Sequence, residues 1–133
     1  MPHPSRRHPA IPACNQSHSG WWIFREVEYW VAMGKGTSPR TRHPVWENTR
    51  LIRAGNRDEA YRKALALARA GHPSRTEDGE WRSAGISMLL PVYEDLEDGA
   101  EILWEVRGSL PIESIRKRVR TKRTLPVFDD SEG

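Results

Sequence analysis

The stretch from Trp46 to Gly71, WENTRLIRAGNRDEAYRKALALARAG, constrains the fold more than any other part of this chain. It reads as a strand, a short turn and a capped helix. Asn56 suits the N-cap, because its side-chain oxygen can accept a bond from an unpaired backbone N–H of the first turn. Glu59 stands three residues on, the spacing of a capping box. Asp58 and Glu59 also meet the positive end of the helix dipole. Between Ala60 and Ala70 there is no Gly, Pro or β-branched residue to oppose helix formation. Gly71 suits the left-handed position after the helix, and Pro73 blocks its continuation. Tyr61, Ala64, Leu65 and Ala68 fall on one face, with Leu67 at its margin. The small alanines predict a helix lying close on a sheet, with a basic, solvated back.

The chain has 133 residues, which implies one domain. Residues 1–20 hold four Pro, three His and a single large aliphatic residue, Ile11. Such a leader buries too little to offset the entropy of ordering and is expected to be disordered. Its histidines, His3, His8 and His18, are too irregularly spaced to predict a metal site, and no cofactor is implied. Residues 21–120 are expected to form a single α+β domain that includes a terminal helix, and residues 121–133 a tail. The one cysteine, Cys14, rules out an internal disulfide and a Cys-rich zinc site. No apolar run reaches the length of a membrane span, so no membrane partner is expected and cytoplasmic residence is the default.

Four strands surround the helix in this reading. Trp21 to Met33, WWIFREVEYWVAM, is rich in aromatic and β-branched residues. Its alternation offers Trp21, Ile23, Val27, Tyr29 and Val31 as the core face. The opposite face, with Trp22, Phe24 and Trp30 broken by Glu26 and Glu28, is expected to be half covered. A basic loop, Gly34 to His43, leads to a second strand over Pro44–Ala54. After the helix a polar connection, His72–Glu80, precedes a third strand over Glu80–Leu90, with Ala84, Ile86, Met88 and Leu90 on one face. Gly85 in mid-strand suggests a bulge or a close backbone approach. Asp98-Gly99 signals a hairpin into a fourth strand, Glu101–Arg107. Pro111 to about Arg120 reads as a second, basic helix, with Ser109 as its cap and Ile112, Ile115 and Val119 as a narrow apolar stripe. The expected architecture is a four-stranded, mostly antiparallel sheet in β-β-α-β-β order, with one packing helix and a C-terminal basic helix.

In this order the local motifs resemble a bacterial family known as domain of unknown function 4288. The points of likeness are Trp21-Trp22, Trp46-Glu47, Leu51-Ile52-Arg53-Ala54, Glu59-Ala60-Tyr61, Trp81, Gly85, Asp98-Gly99-Ala100-Glu101-Ile102 and Trp104, spread over roughly residues 21 to 107. The resemblance implies a small α+β fold and brings no activity with it. The basic loop and the Arg-rich end have no counterpart in that likeness.

No stretch predicts catalysis. There is no nucleophile-elbow serine and no phosphate-cradling glycine loop. Glu47, beside Trp46, is the best lone functional carboxylate, since an aromatic wall can raise a carboxyl pKa. The structural alternative, an ion pair with Arg50 or Arg82, is favoured. Glu94, Asp95, Glu97, Asp98 and Glu101 lack a cation-loop pattern and read as a solvated turn. His43 and His72, each before a Pro, read as surface residues. The segment Arg116 to Arg123, RKRVRTKR, has six basic residues in eight. It can dock on an acidic protein or neutralise phosphates.

These features predict a small bacterial protein that acts as a non-enzymatic, macromolecule-binding module of accessory, regulatory or immunity type. Its partner is expected to be another protein. The candidate contact residues are Trp22, Phe24 and Trp30 on the first strand, Lys35, Arg40 and Arg42 in the loop, and Arg116, Lys117, Arg118, Arg120, Lys122 and Arg123 at the end. The alternative is nucleic-acid binding through the Arg/Lys-rich C-terminal segment and the basic loop at residues 34–43. No catalytic or metal-ligating residue is assigned.

Overall fold

A computed structural model describes residues 10–131. The chain divides between Leu103 and Trp104 into two compact units.

The first unit is built on strand β1, Trp21–Ala32, which lies between β2, Val45–Arg53, and β4, Gly79–Pro91. A short strand β3, Ser74–Thr76, pairs with the start of β4. All pairings are antiparallel and the sheet order is β2-β1-β4-β3. Helix α1, Arg57–Arg69, follows β2 directly, so the element order is β-β-α-β-β.

The expected fold class therefore holds, but two strands are assigned differently. The fourth expected strand, Glu101–Arg107, has no regular structure. Its place in the order is taken by β3, inside the stretch read as a polar connection. The working hairpin turn is Glu77-Asp78, not Asp98-Gly99. Gly79 makes it possible. A Cβ there would lie 2.3 Å from the Val31 carbonyl oxygen, and φ is +155°. Only glycine lets β4 start this close to β1.

Asn56 caps α1 as its sequence predicts: its Oδ1 accepts from the Glu59 N–H at 2.9 Å. Glu59 reaches back one residue further than a capping box, accepting from Gly55 N–H at 3.1 Å. Gly71 takes a positive φ after the last turn. The buried stripe is Ala60, Ala64 and Ala68, at strict i, i+4 spacing. Tyr61 and Leu67, expected at that stripe and its margin, are exposed.

Ala60 and Ala64 of the stripe pack on the face of β1 that carries Trp22 and Phe24, together with Ile52, Ala54, Ile86 and Leu89. This reverses the expected covered face. Ile52 pairs with Trp22 across the sheet, and α1 begins at Arg57, four residues after Ile52's neighbour, Arg53, on that same side. The Trp22 indole N–H donates to the Ala54 carbonyl at 3.1 Å, fixing the crossover. Burying Phe24 fully contributes about 1.5–3 kcal/mol. Ile23 and Val31, on the opposite row, are buried too.

β4 keeps both faces in phase with β1 through two single-residue bulges. Arg25 faces Met88 but Glu26 faces Ile86, leaving Ser87 extra; Val27 faces Gly85 but Glu28 faces Ser83, leaving Ala84 extra. Both extra residues are exposed. Ile86 and Leu89, three apart, thereby reach the same core, which strict alternation forbids. The bulge suggested by Gly85 is present. A close approach there is not, since a Cβ would meet nothing within 4 Å.

Of the leader, residues 1–9 lie outside the described residues. Residues 10–20 are held to the sheet: the Ser17 and Ser19 hydroxyls donate to the Val92 carbonyl at 2.8 and 2.6 Å, and Tyr93 Oη bonds the Cys14 carbonyl.

The second unit contains helix α2, Ile112–Lys117, and two short 3-10 turns. α2 is shorter than expected and starts from Pro111 rather than a Ser109 cap. Its apolar stripe, Ile112, Ile115 and Val119, is exposed.

Candidate functional site

The face of β1 that carries Trp22 changes character along its length. Under α1 it is apolar. Past Phe24 it becomes a polar band, and at the far end it becomes aromatic.

The polar band begins with Glu26, whose side chain is almost fully enclosed. Arg50 Nη1 donates to it at 3.3 Å, and the same guanidinium lies 5.6 Å from the Phe24 ring centre. A charge this enclosed is tolerated because it is paired and hydrogen-bonded. Asn48 Nδ2 donates to Glu28 at 3.2 Å, and His72 Nε2 lies 2.8 Å from Glu28 Oε2. Nδ1 of His72 lies 3.3 Å from the Ala70 carbonyl. His72 is thus not the surface residue its sequence context suggested: it pins the turn after α1 to the central strand. His43 is held as well, with Nδ1 3.1 Å from the Trp30 carbonyl and its ring edge-on to Tyr29.

Beside the band lies a cleft of about 430 Å³ lined by Tyr29, Arg69, His72, Pro73, Arg75, Glu80, Arg82 and Ser83. Its charges are mostly paired within it. Glu80 accepts from Arg82 at 2.7 Å and from Arg75 at 3.2 Å. The Arg82 hydrogen bond, aided by Arg75, holds the Glu80 carboxyl below the usual carboxylate range, and the same bond raises Arg82. Ser83 Oγ is buried and has no hydrogen-bond partner among the described residues. His72 does not reach it, so there is no nucleophile–base pair here.

The aromatic end holds Trp30, Trp46, Trp81 and Pro44, which line a shallow apolar depression. Trp30 and Trp81 are cross-strand partners with ring centres 5.5 Å apart. Trp46 packs edge-on to Trp81 at 5.8 Å and remains 60% exposed. Three indoles in contact, one of them open to solvent, form a rigid apolar surface of the kind that dominates contact energetics.

The expected contact residues divide accordingly. Trp30 lies in the aromatic patch. Trp22 and Phe24 do not: they are 2% and 0% exposed beneath α1 and cannot touch a partner. Trp46 and Trp81, which the sequence offers as points of family likeness and not as contact residues, complete the patch. Lys35, Arg40 and Arg42 are exposed on the loop that joins β1 to β2, next to the patch. That loop is tied down where Lys35 Nζ donates to the Arg42 carbonyl at 2.8 Å and Trp30 N–H donates to the Pro44 carbonyl at 2.9 Å. Arg116, Lys117, Arg118, Arg120, Lys122 and Arg123 are exposed in the second unit, where Lys122 Nζ sits 5.0 Å over the Phe128 ring.

Glu47 is exposed on the sheet face opposite Trp46 and accepts from Ser87 Oγ at 2.9 Å. Neither expected arginine pairs with it, because Arg50 is engaged by Glu26 and Arg82 by Glu80. An acid–base role for Glu47 is not supported by so open a setting. Among the described residues no group of three or more His, Cys, Asp or Glu side chains could hold a metal ion. No helix among them is long and apolar enough to cross a membrane.

A family model described as a domain of unknown function (DUF4288) matches residues 23–104. No curated protein and no solved structure matches the chain.

Proposed function

The chain belongs to the DUF4288 family, whose model spans well over half of its length, and from that premise we propose that it is a non-enzymatic module that binds another protein. The observation that carries this reading is the Trp30, Trp46, Trp81 patch. These rings are ordered by each other and by the sheet, so a partner gains apolar contact without first immobilising them. Pro44 and the basic residues Lys35, Arg40 and Arg42 border the patch. They favour a partner that presents an apolar knob ringed by acidic side chains. An accessory, regulatory or immunity-type role fits a module of this form.

The test is affinity capture from the native host with the full chain, followed by the same capture with Trp46→Ser and Trp81→Ser together. The reading expects a protein retained by the natural chain and lost by the double variant, with the far-UV dichroism of both alike. A protein retained equally by both would contradict the patch as the contact surface.

The exposed basic run at Arg116–Arg123 supports a second reading, binding to nucleic acid. Phosphate neutralisation there predicts affinity that falls steeply with salt and depends little on sequence. Absence of a gel shift at low salt removes that reading. Neutralising Arg116, Lys117, Arg118 and Arg120 to Gln separates the two surfaces: it abolishes phosphate binding and leaves capture by the tryptophan patch in place.

A further inference from the structure

The two free edges of this sheet are built differently. The β4 edge beyond β3 carries two bulges, a device that spoils pairing with another chain. The β2 edge carries none. Its register with β1 is unbroken from Val45 to Arg53, and it contains neither Pro nor Lys.

The backbone parity of β2 follows from its two ends. Ala54 N–H donates to the Gly20 carbonyl and Trp30 N–H to the Pro44 carbonyl, each at 2.9 Å. Even-numbered residues of β2 therefore turn their polar groups toward β1, and odd-numbered ones turn theirs outward. Of the outward groups, the Arg53 carbonyl is taken by Lys63 Nζ at 2.5 Å. Among the described residues no hydrogen bond reaches the outward backbone groups of Val45, Glu47, Thr49 or Leu51. Three large apolar side chains stand exposed on this one strand: Val45, Trp46 and Leu51 at 58%, 60% and 44%.

We propose that the β2 edge is where two copies of this chain associate, β2 pairing antiparallel with β2 of the second copy about a two-fold axis at Thr49. The strand is self-complementary in that register. Thr49 faces its own counterpart, Asn48 faces Arg50, Glu47 faces Leu51, and Trp46 faces Ile52 of the other copy. No two like charges stand opposite each other, and Glu47 lies diagonal to Arg53 across the axis, within reach of an ion pair. Moving the axis to Arg50 would set two arginines face to face. With the axis at Thr49, the outward groups of Glu47, Thr49 and Leu51 all find partners, about six backbone bonds in all. The two sheets then continue as one, and Val45, Trp46 and Leu51 lose exposed area. A strand of a different protein would satisfy the backbone equally but would not meet this charge pattern by symmetry. The proposal does not depend on the tryptophan patch as a partner site, and its test uses no partner.

The test is the mass of the purified full chain by sedimentation or light scattering, from about 1 μM to about 1 mM. The natural chain is expected to reach dimer mass within that range. Thr49→Pro removes an N–H that bonds nothing within one copy, so the fold tolerates it on an edge, while both central bonds of the dimer are lost. Its dimer dissociation constant is expected to rise at least about tenfold. Thr49→Lys sets two ammonium groups together on the axis and is expected to do the same; it alone decides if the proline variant proves unfolded by dichroism. A chain that stays monomeric throughout overturns the proposal, as does a dimer that neither substitution weakens.

Discussion

His72 Nε2 lies 2.8 Å from Glu28 Oε2, joining the turn after α1 to the middle of the central strand. Both side chains are mostly enclosed, at 13% and 19% exposure, so solvent screens the pair less than it would on the surface. His72→Ala leaves Glu28 with Asn48 as its hydrogen-bond donor. The expected cost is about 1.5–3 kcal/mol, the range for a hydrogen bond to a charged group. It is read as a lower urea midpoint with an unchanged denaturant slope.

Ser83 sits across from Glu28 on β4, yet its hydroxyl bonds none of the described residues. An unpartnered buried hydroxyl lowers stability by its lost hydration. Ser83→Ala is expected to stabilise by about 1 kcal/mol, which thermal unfolding would report as a higher midpoint.

The alanine stripe is the other structural premise. Ala64 is fully buried between α1 and the sheet, at the centre of the series Ala60, Ala64, Ala68. Ala64→Leu retains helix propensity but has no space, and is expected to cost about 1–3 kcal/mol or more. Leu67→Ala, on the exposed flank of the same helix, is expected to cost under about 1 kcal/mol. Equilibrium unfolding of the two variants side by side measures the contrast.

Why the helix was legible and the covered face was not is a matter of range. Asn56, Glu59 and Gly71 act within a turn of their own positions, so the sequence displays them directly. The choice between the Trp22 and Ile23 faces depends on where the helix lands after β2, which is a long-range property. Alternation along β4 misled for a local reason: two bulges, at Ala84 and Ser87, shift phase by one residue each. The three-residue strand β3 is too short to show a period. Trp30, Trp46 and Trp81 come from three strands, and only the register brings them together. His72 reads as a surface residue because nothing in its neighbours announces Glu28, 44 residues away.

Acid should loosen the start of β4. Arg82 and Arg75 hold the Glu80 carboxyl below its ordinary range, so the folded state favours the ionised form. The sign follows from linkage. The contribution is complete above the ordinary carboxylate range and is lost as pH falls through the depressed folded value. Glu80→Gln removes that dependence. The comparison is unfolding free energy against pH for both chains, where the natural chain should fall toward the variant at the acid end.

The central claim is that the tryptophan patch at the sheet's aromatic end is the contact surface. With 5-fluorotryptophan in all six tryptophan positions, fluorine NMR follows each indole during titration with the captured partner. The account predicts that the Trp30, Trp46 and Trp81 resonances shift as binding saturates, while that of Trp22, sealed under α1, stays in place. Saturable binding with the Trp46 and Trp81 resonances unmoved would contradict it.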